Sequence, residues 1–234
     1  MDVIPCAMFR TPAHSIRQAM MSAPPARRAG ATLSEIFPAP GAEAAAAGFV
    51  LTQVGKVAKP VLWIQDRLAQ RETGRPCRAG LGLDRPLMLM QLSRPVDVMT
   101  AAEEGLRCTA LAAVVAEIRG DPPAVNFTAL KRLAVRAEAA GVPCWLIRQA
   151  ATADLSAARD RWRIGPLPSA AHPDDPRAPG DPRWRVERFR SRDGRPGEWV
   201  ARHDRAADRL DLVAAVPDGT MAEGAGKAGR GTAR

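Results

Sequence analysis

The sequence has no tyrosine, five tryptophans, five phenylalanines and only four lysines (Lys56, Lys59, Lys131 and Lys227). With aromatics at 4%, a hydrophobic content of 46% rests on aliphatic residues and alanine. No apolar run approaches the ~20 residues that a membrane span needs. Pro5, Arg10 and Pro12 interrupt any leader-like apolar stretch at the start. Cysteine is scarce and dispersed: Cys6, Cys77, Cys108 and Cys144 form no Cys-x-x-Cys pair, and His14, His172 and His203 do not accompany them. That spacing excludes the common zinc patterns and gives no disulfide framework. Cys108 and Cys144 lie in apolar stretches and are expected to be buried as small hydrophobes. The expected location is cytoplasmic, with nucleoid association open and no membrane contact.

Positive charge is abundant instead. Lys and Arg number 34 against 25 Asp and Glu, a formal charge of +9. Scarce lysine with abundant arginine, alanine and proline resembles a GC-rich bacterial coding bias. The field remains whatever its origin, and it favours nucleic acid or acidic partners.

The chain divides into four parts. Residues 1–30 hold several prolines and arginines and are expected to be a mobile basic arm, with one short helix over 9–21. Residues 217–234, rich in Gly, Ala and Arg, read as a disordered tail. Between them, residues 31–150 alternate strand and helix. Continuous apolar runs at 61–64, 87–90, 111–116 and 144–147 predict strands covered on both faces. Helices are expected over 42–58, from Pro95 to about Thr109, and over 127–140. The last places Leu130, Leu133, Ala134 and Ala137 on one stripe, with Asn126 as N-cap and Gly141 as C-terminal stop. This alternation predicts an α/β fold with a mostly parallel sheet flanked by helices. Residues 151–216 change character. Near-alternating segments at 161–165 and 183–190, the turn Asp193-Gly194, and strands near 199–201 and 210–213 predict an antiparallel extension of the same sheet. The proline-rich segment 166–182 reads as a loop.

Three places carry candidate chemistry. Residues 32–43 read as a strand, a loop and a helix start, where a phosphate loop would carry Gly-x-x-x-x-Gly-Lys-[Ser/Thr]. Here Pro38 and Pro40 remove two N–H donors, Gly41 precedes Glu43, and Ala44 and Ala45 stand where lysine and hydroxyl are needed. The motif is read as absent and the loop as a plain strand-to-helix turn. Glu117 follows the strand at 111–116, where an acid would position magnesium in a nucleotide-binding protein; a polar strand terminus is the alternative. Gln65, Asp66 and Arg67 end the strand at 61–64, on the carboxyl edge where open α/β sheets bind ligands. Six arginines, Arg183, Arg185, Arg188, Arg190, Arg192 and Arg195, share a predicted hairpin with Trp184, Phe189 and Trp199. Two readings stand for it. The arginines contact DNA phosphates or an acidic partner, or they form a solvated strand face while the aromatics enter the core. Glu103 and Glu104 are adjacent on a helix and point to different sides, so they make no catalytic pair. No nucleophile set appears, and a non-enzyme without metal or cofactor is expected.

Ordered pieces of the chain resemble the ImuA family, RecA-like proteins of damage-inducible mutagenesis cassettes that are also related to the division inhibitor SulA. They are Leu33 to Phe37, Pro60 to Ile64, Leu81 to Met90, and Ala101 to Cys108 leading into Ala112 to Val115. They continue with Arg161 to Ile164, Arg183 to Glu187 and Gly194 to Trp199. Together they span about residues 30–202. On the RecA pattern the phosphate-loop lysine falls near Ala44, its Ser/Thr near Ala45, and the water-activating glutamate near Arg67; the strand-end acid survives as Glu117. The resemblance implies an accessory role in SOS-inducible error-prone translesion synthesis without ATP or magnesium. It implies as partners an ImuB-like polymerase-related protein, an error-prone replicative-type DNA polymerase, and RecA or its filament, with DNA contact open. A residual ATP-binding ATPase and a SulA-like division inhibitor are the alternatives.

Overall fold

In the computed structural model, the structure describes residues 30–54, 58–77, 86–175, 177–204, 206–207 and 209–214. The expected arm helix at 9–21 and the tail at 217–234 lie outside the described residues. Among the described residues there are nine strands and four helices, all strands in one sheet. In chain order they are β1 (Leu33–Pro38), α1 (Glu43–Gln53), β2 (Val61–Asp66), α2 (Arg67–Thr73), β3 (Leu87–Leu92), α3 (Pro95–Gly105), β4 (Ala113–Arg119), α4 (Phe127–Ala140), β5 (Cys144–Gln149), β6 (Asp160–Leu167), β7 (Arg183–Ser191), β8 (Gly197–Asp204) and β9 (Arg209–Ala214).

The sheet order is β3-β2-β4-β5-β1-β6-β7-β8-β9. The first six are parallel, and β7, β8 and β9 add on antiparallel. The α/β reading with a mostly parallel sheet and antiparallel C-terminal strands is therefore correct. Two details differ from expectation. The near-alternation at 161–165 predicts an antiparallel strand, yet β6 runs parallel to β1 and antiparallel to β7. α2 was not foreseen; it is one short element that Asp66 starts by accepting from the Ala69 amide at 2.5 Å.

Two cores lie on opposite faces of the sheet. On one, α1 covers Ile36, Trp63, Val115, Ile147, Trp162 and Trp184. Gly48 of α1 lets the Trp184 ring lie against the helix, since a Cβ there would stand 2.9 Å from ring carbon. On the other, α3 and α4 cover Leu62, Ile64, Val114, Ala116 and Leu146. The four stripe residues expected in α4 are all buried, Asn126 caps the Ala129 amide at 3.0 Å, and Gly141 takes φ 68° to end the helix. Each fully buried large side chain contributes about 1.5–3 kcal/mol. Glu103 of α3 accepts from Arg136 of α4 at 2.8 Å and lies 3.3 Å from Arg132, tying the two helices.

Three readings need correction. β3 is an edge strand, with β2 as its one strand neighbour among the described residues, and it is not covered on both faces: Met88, Leu89 and Met90 are exposed. The helix from Pro95 stops at Gly105, where the chain closes on β2 so tightly that a Cβ would meet Leu62 at 2.7 Å. Cys108 is exposed; Cys144 is buried, and burial pushes its thiol up to about 12. No helix among the described residues is long and apolar enough to cross a membrane.

Glu35 of β1 is fully buried (0% exposed) between its two neighbouring strands. It accepts from Arg161 of β6 at 2.8 Å and from Arg148 of β5 at 3.5 Å. Removing one member of a buried ion set leaves uncompensated charge, at a cost of about 3–5 kcal/mol. Glu35→Ala is expected to lower the unfolding free energy by about that much in urea titration. A loss below about 1 kcal/mol would show that water already reaches the site.

Candidate functional site

The carboxyl edge of β2, β4 and β5 gathers polar side chains on the α1 face. Glu117 was expected at a strand terminus, but β4 continues to Arg119, so the acid sits inside the strand and is buried. Register explains its company. Gln65 of β2 stands directly opposite Glu117, and Trp63 and Gln149 occupy diagonal positions on the same face. Trp63 donates its indole N–H to Glu117 Oε2 at 2.9 Å, and Gln65 donates to the same oxygen at 2.8 Å. Gln149 donates to Oε1, and Thr73 of α2 reaches it at 3.4 Å. Gln65 also bonds the Gly74 carbonyl at 2.9 Å. Both carboxylate oxygens thus accept from uncharged protein donors. Burial raises the Glu117 carboxyl above the usual glutamate range, against the opposing pull of those hydrogen bonds.

Beside this cluster lies a cavity of about 220 Å³ between the start of α1 and segment 73–77, lined by Glu43, Ala44, Trp63, Thr73, Arg75 and Glu117. It unites two sequence-predicted places, the 37–43 turn and the acid at 117. Gly41 takes φ 79° in that turn. The Ala39 amide bonds Ile164 O and the Ala42 amide bonds Ala39 O, both at 2.8 Å. Pro38 and Pro40 carry no N–H. Ala45, in the first turn of α1, is buried and faces the core. Asp66 is a structural residue: besides capping α2, it accepts from the Arg119 amide at 3.2 Å, joining β2 to β4. Arg67 is exposed at the start of α2.

The arginine hairpin splits into unlike parts. Trp184 and Trp199 enter the core as the strand alternation requires. Arg188 follows them inward and is buried at 9% exposure. Its guanidinium lies 5.5 Å and 5.7 Å from the Trp162 and Trp199 rings and donates to Arg195 O at 2.7 Å. Arg188 is therefore largely taken up by the core, unlike the exposed arginines of the candidate set, although it also borders the cleft of about 840 Å³ beside Asp160 and Trp162. Arg185 is exposed and sits 3.3 Å from Glu198. Arg183 is half-buried, and Arg190, Arg192 and Arg195 are exposed.

One cluster is not legible in the sequence. Arg161 lies 5.2 Å from both the Phe37 and Phe189 rings, Arg163 lies 4.2 Å from Phe189, and Arg148 lies 5.9 Å from Phe37. Together with Glu35 and Asp121, which accepts from Arg148 at 2.6 Å, these form a cation and ring stack between β5, β1, β6 and β7. Desolvation lowers Arg161 despite the Glu35 charge, whereas bonds from the Thr152 amide and Arg148 hold the Asp121 carboxyl below its ordinary value against its own desolvation. The visible signal was Glu35 inside an otherwise core-forming strand. A separate cleft of about 840 Å³ opens beside Thr32, Trp145, Asp160 and Trp162, away from the Glu117 cluster.

The architecture is that of an α/β protein whose parallel sheet is continued by antiparallel strands. Protein ImuA of Caulobacter vibrioides, in two strains, is 31% identical over 184 residues, covering 73% of this chain and 71% of the relative. The chain belongs to the ImuA family. No family model matches it. Among solved structures, SulA from Pseudomonas aeruginosa overlays at a TM-score of 0.41 and 20% identity, covering 50% of this chain and 98% of that one.

Two outcomes follow from this geometry. A carboxyl raised by burial binds its proton more tightly folded than unfolded, so ionisation of Glu117 subtracts stability as pH climbs from about 4.3 through its raised native value. The stability of wild type relative to Glu117→Gln is expected to fall over that window in urea titrations, and a flat difference would mean that the carboxyl is solvated. Arg188→Ala is expected to cost about 2–4 kcal/mol, from the lost charged hydrogen bond and two ring contacts. Arg185→Ala is expected to cost about 0–1 kcal/mol, as exposed pairs do. Equal losses in thermal melts would contradict the split described for the hairpin.

Proposed function

We propose that the protein is a non-catalytic accessory factor of SOS-inducible error-prone translesion DNA synthesis, acting by contact with an ImuB-like protein, an error-prone DNA polymerase or RecA. Membership of the ImuA family supports the mutagenesis setting. The observation that carries the non-catalytic part is the state of Glu117. An acid that works on a magnesium nucleotide needs an oxygen turned to the ligand. Here both oxygens are held by Trp63, Gln65, Thr73 and Gln149. The adjoining cavity, about 220 Å³, is also below the ~300 Å³ at which ligand pockets begin.

One feature favours a second reading, residual nucleotide binding: that cavity lies at the carboxyl edge of a parallel sheet, beside a helix N-terminus. Glu43 in the first turn of α1 opposes it by repelling phosphate.

Affinity capture of the tagged full chain from mitomycin-treated cells tests the adaptor reading. Recovery of an ImuB-like protein or RecA is expected, and failure to recover either overturns it. Calorimetric titration with Mg-ATP tests the alternative: no heat of binding is expected, and micromolar binding lost in Glu117→Gln would establish nucleotide binding instead.

A further inference from the structure

A groove of about 560 Å³ runs between α4 and the segment that leads into β6, with the end of β7 along one side. Phe127, Val135 and Leu155 present apolar surface there, and Leu155 is 70% exposed. The α4 contribution is a helical stripe. Phe127, Lys131 and Val135 stand at i, i+4 and i+8, on a different face from the buried stripe of Leu130, Leu133 and Ala137. Exposed apolar side chains gathered in one concave place mark an interaction site more often than scattered ones do. The rim is cationic. Lys131, Arg190 and Arg192 border the groove, and among the described residues none of the three stands in an ion pair. Arg159 beside them is engaged by Glu138 at 2.6 Å and 2.9 Å.

We propose that this groove docks a segment of a partner protein in which acidic residues surround an apolar anchor, an acidic amphipathic helix being the form that fits. The proposal deepens the adaptor reading and rests on it. Charge complementarity selects the acid, since three cations with no ion pair among the described residues border an apolar floor. The floor selects protein over single-stranded nucleic acid. Unpaired bases are held by successive ring platforms, and here Phe127 is the aromatic lining residue, while Val135 and Leu155 offer no π face. The site uses Arg190 and Arg192, two arginines of the hairpin that the core does not take up. Arg188, buried between tryptophans, has no part in it.

The test is a fluorescence titration of the full chain against a labelled peptide of about four helical turns, with a leucine and phenylalanine stripe and glutamates elsewhere. A glutamine-for-glutamate peptide and an oligothymidylate serve as comparison probes. The glutamate peptide is expected to bind about tenfold or more tighter than its glutamine counterpart at low salt. Leu155→Asp and Val135→Asp are each expected to weaken it about tenfold or more. Both positions are exposed, so circular dichroism of the variants should match wild type. Combined Lys131→Glu and Arg190→Glu should abolish the preference for glutamate. The proposal is overturned by absence of peptide binding, or by binding indifferent to Leu155→Asp and Val135→Asp. It is also overturned if oligothymidylate binds, weakens with the charge reversals and ignores Leu155→Asp, which assigns the groove to nucleic acid. Cell capture separates this proposal from the adaptor reading. If Leu155→Asp recovers every partner that wild type recovers, and equally, the groove is wrong and the adaptor reading stands. If wild type recovers nothing, the adaptor reading fails and the partner-docking proposal falls with it, whereas failure of the peptide titration alone overturns the groove and leaves the adaptor reading standing.

Discussion

The buried Glu35 carboxylate is the constraint on which the sheet depends. β1 lies between β5 and β6, so it is the strand that joins the parallel part of the sheet to the antiparallel part. Glu35 holds both neighbours at once, through Arg148 and Arg161, from sequence distances above a hundred residues. A buried ion set adds little net stability beside a well-packed apolar replacement, because desolvation offsets much of the attraction. What it does supply is register. A one-residue slip of β1 would send Glu35 to the α1 core and take its carboxylate from Arg161 and Arg148, leaving Arg148 its bond to Asp121 alone. The Phe37 and Phe189 rings beside Arg161 complete the same arrangement, so charge, ring contact and strand order reinforce one another.

Glu117 uses the same physics to another end. It too is an acid in a central strand, but its partners are neutral: an indole, two amides and a hydroxyl. Uncharged donors satisfy the oxygens without fully compensating the charge, and so the carboxyl is raised above its usual range. Those donors come from β2, α2 and β5, so Glu117 fastens the carboxyl edge where an α/β sheet ordinarily presents its ligand groups. A residue that holds its own fold this firmly is poorly placed to exchange ligands. That is the physical ground for proposing action by contact.

The C-terminal strands show how one alternating pattern serves two environments. Along β7, Trp184, Val186 and Arg188 face the α1 core, while Arg185, Glu187 and Phe189 face the other way. Arginine tolerates the inner position because its planar cation lies against tryptophan rings while its N–H groups reach a carbonyl. The remaining arginines are therefore fewer and more localised than a count along the chain suggests. Those at the end of β7 meet the exposed stripe of α4 across a groove.

Much of the fold was legible in the sequence. Continuous apolar runs marked the inner parallel strands, and period 3.6 with Asn126 and Gly141 bounded α4, because burial and capping are local consequences of residue type. The near-alternation at 183–190 and the Asp193-Gly194 turn marked the antiparallel strands for the same reason. Edge position was not legible: Leu87 to Met90 read like any buried strand, and only the sheet order showed it with a single neighbour among the described residues. Nor did spacing show that Glu35 meets Arg148 and Arg161, that Glu117 is closed off by Trp63 and Gln149, or that Arg188 turns inward while Arg190 and Arg192 stay out. These are pairings between strands distant in sequence. A side chain's hydrogen bonds and desolvation depend on what the tertiary fold sets across from it, so the sequence determined most elements and the buried face of α4, and the tertiary structure decided which charges are bound and which stay exposed.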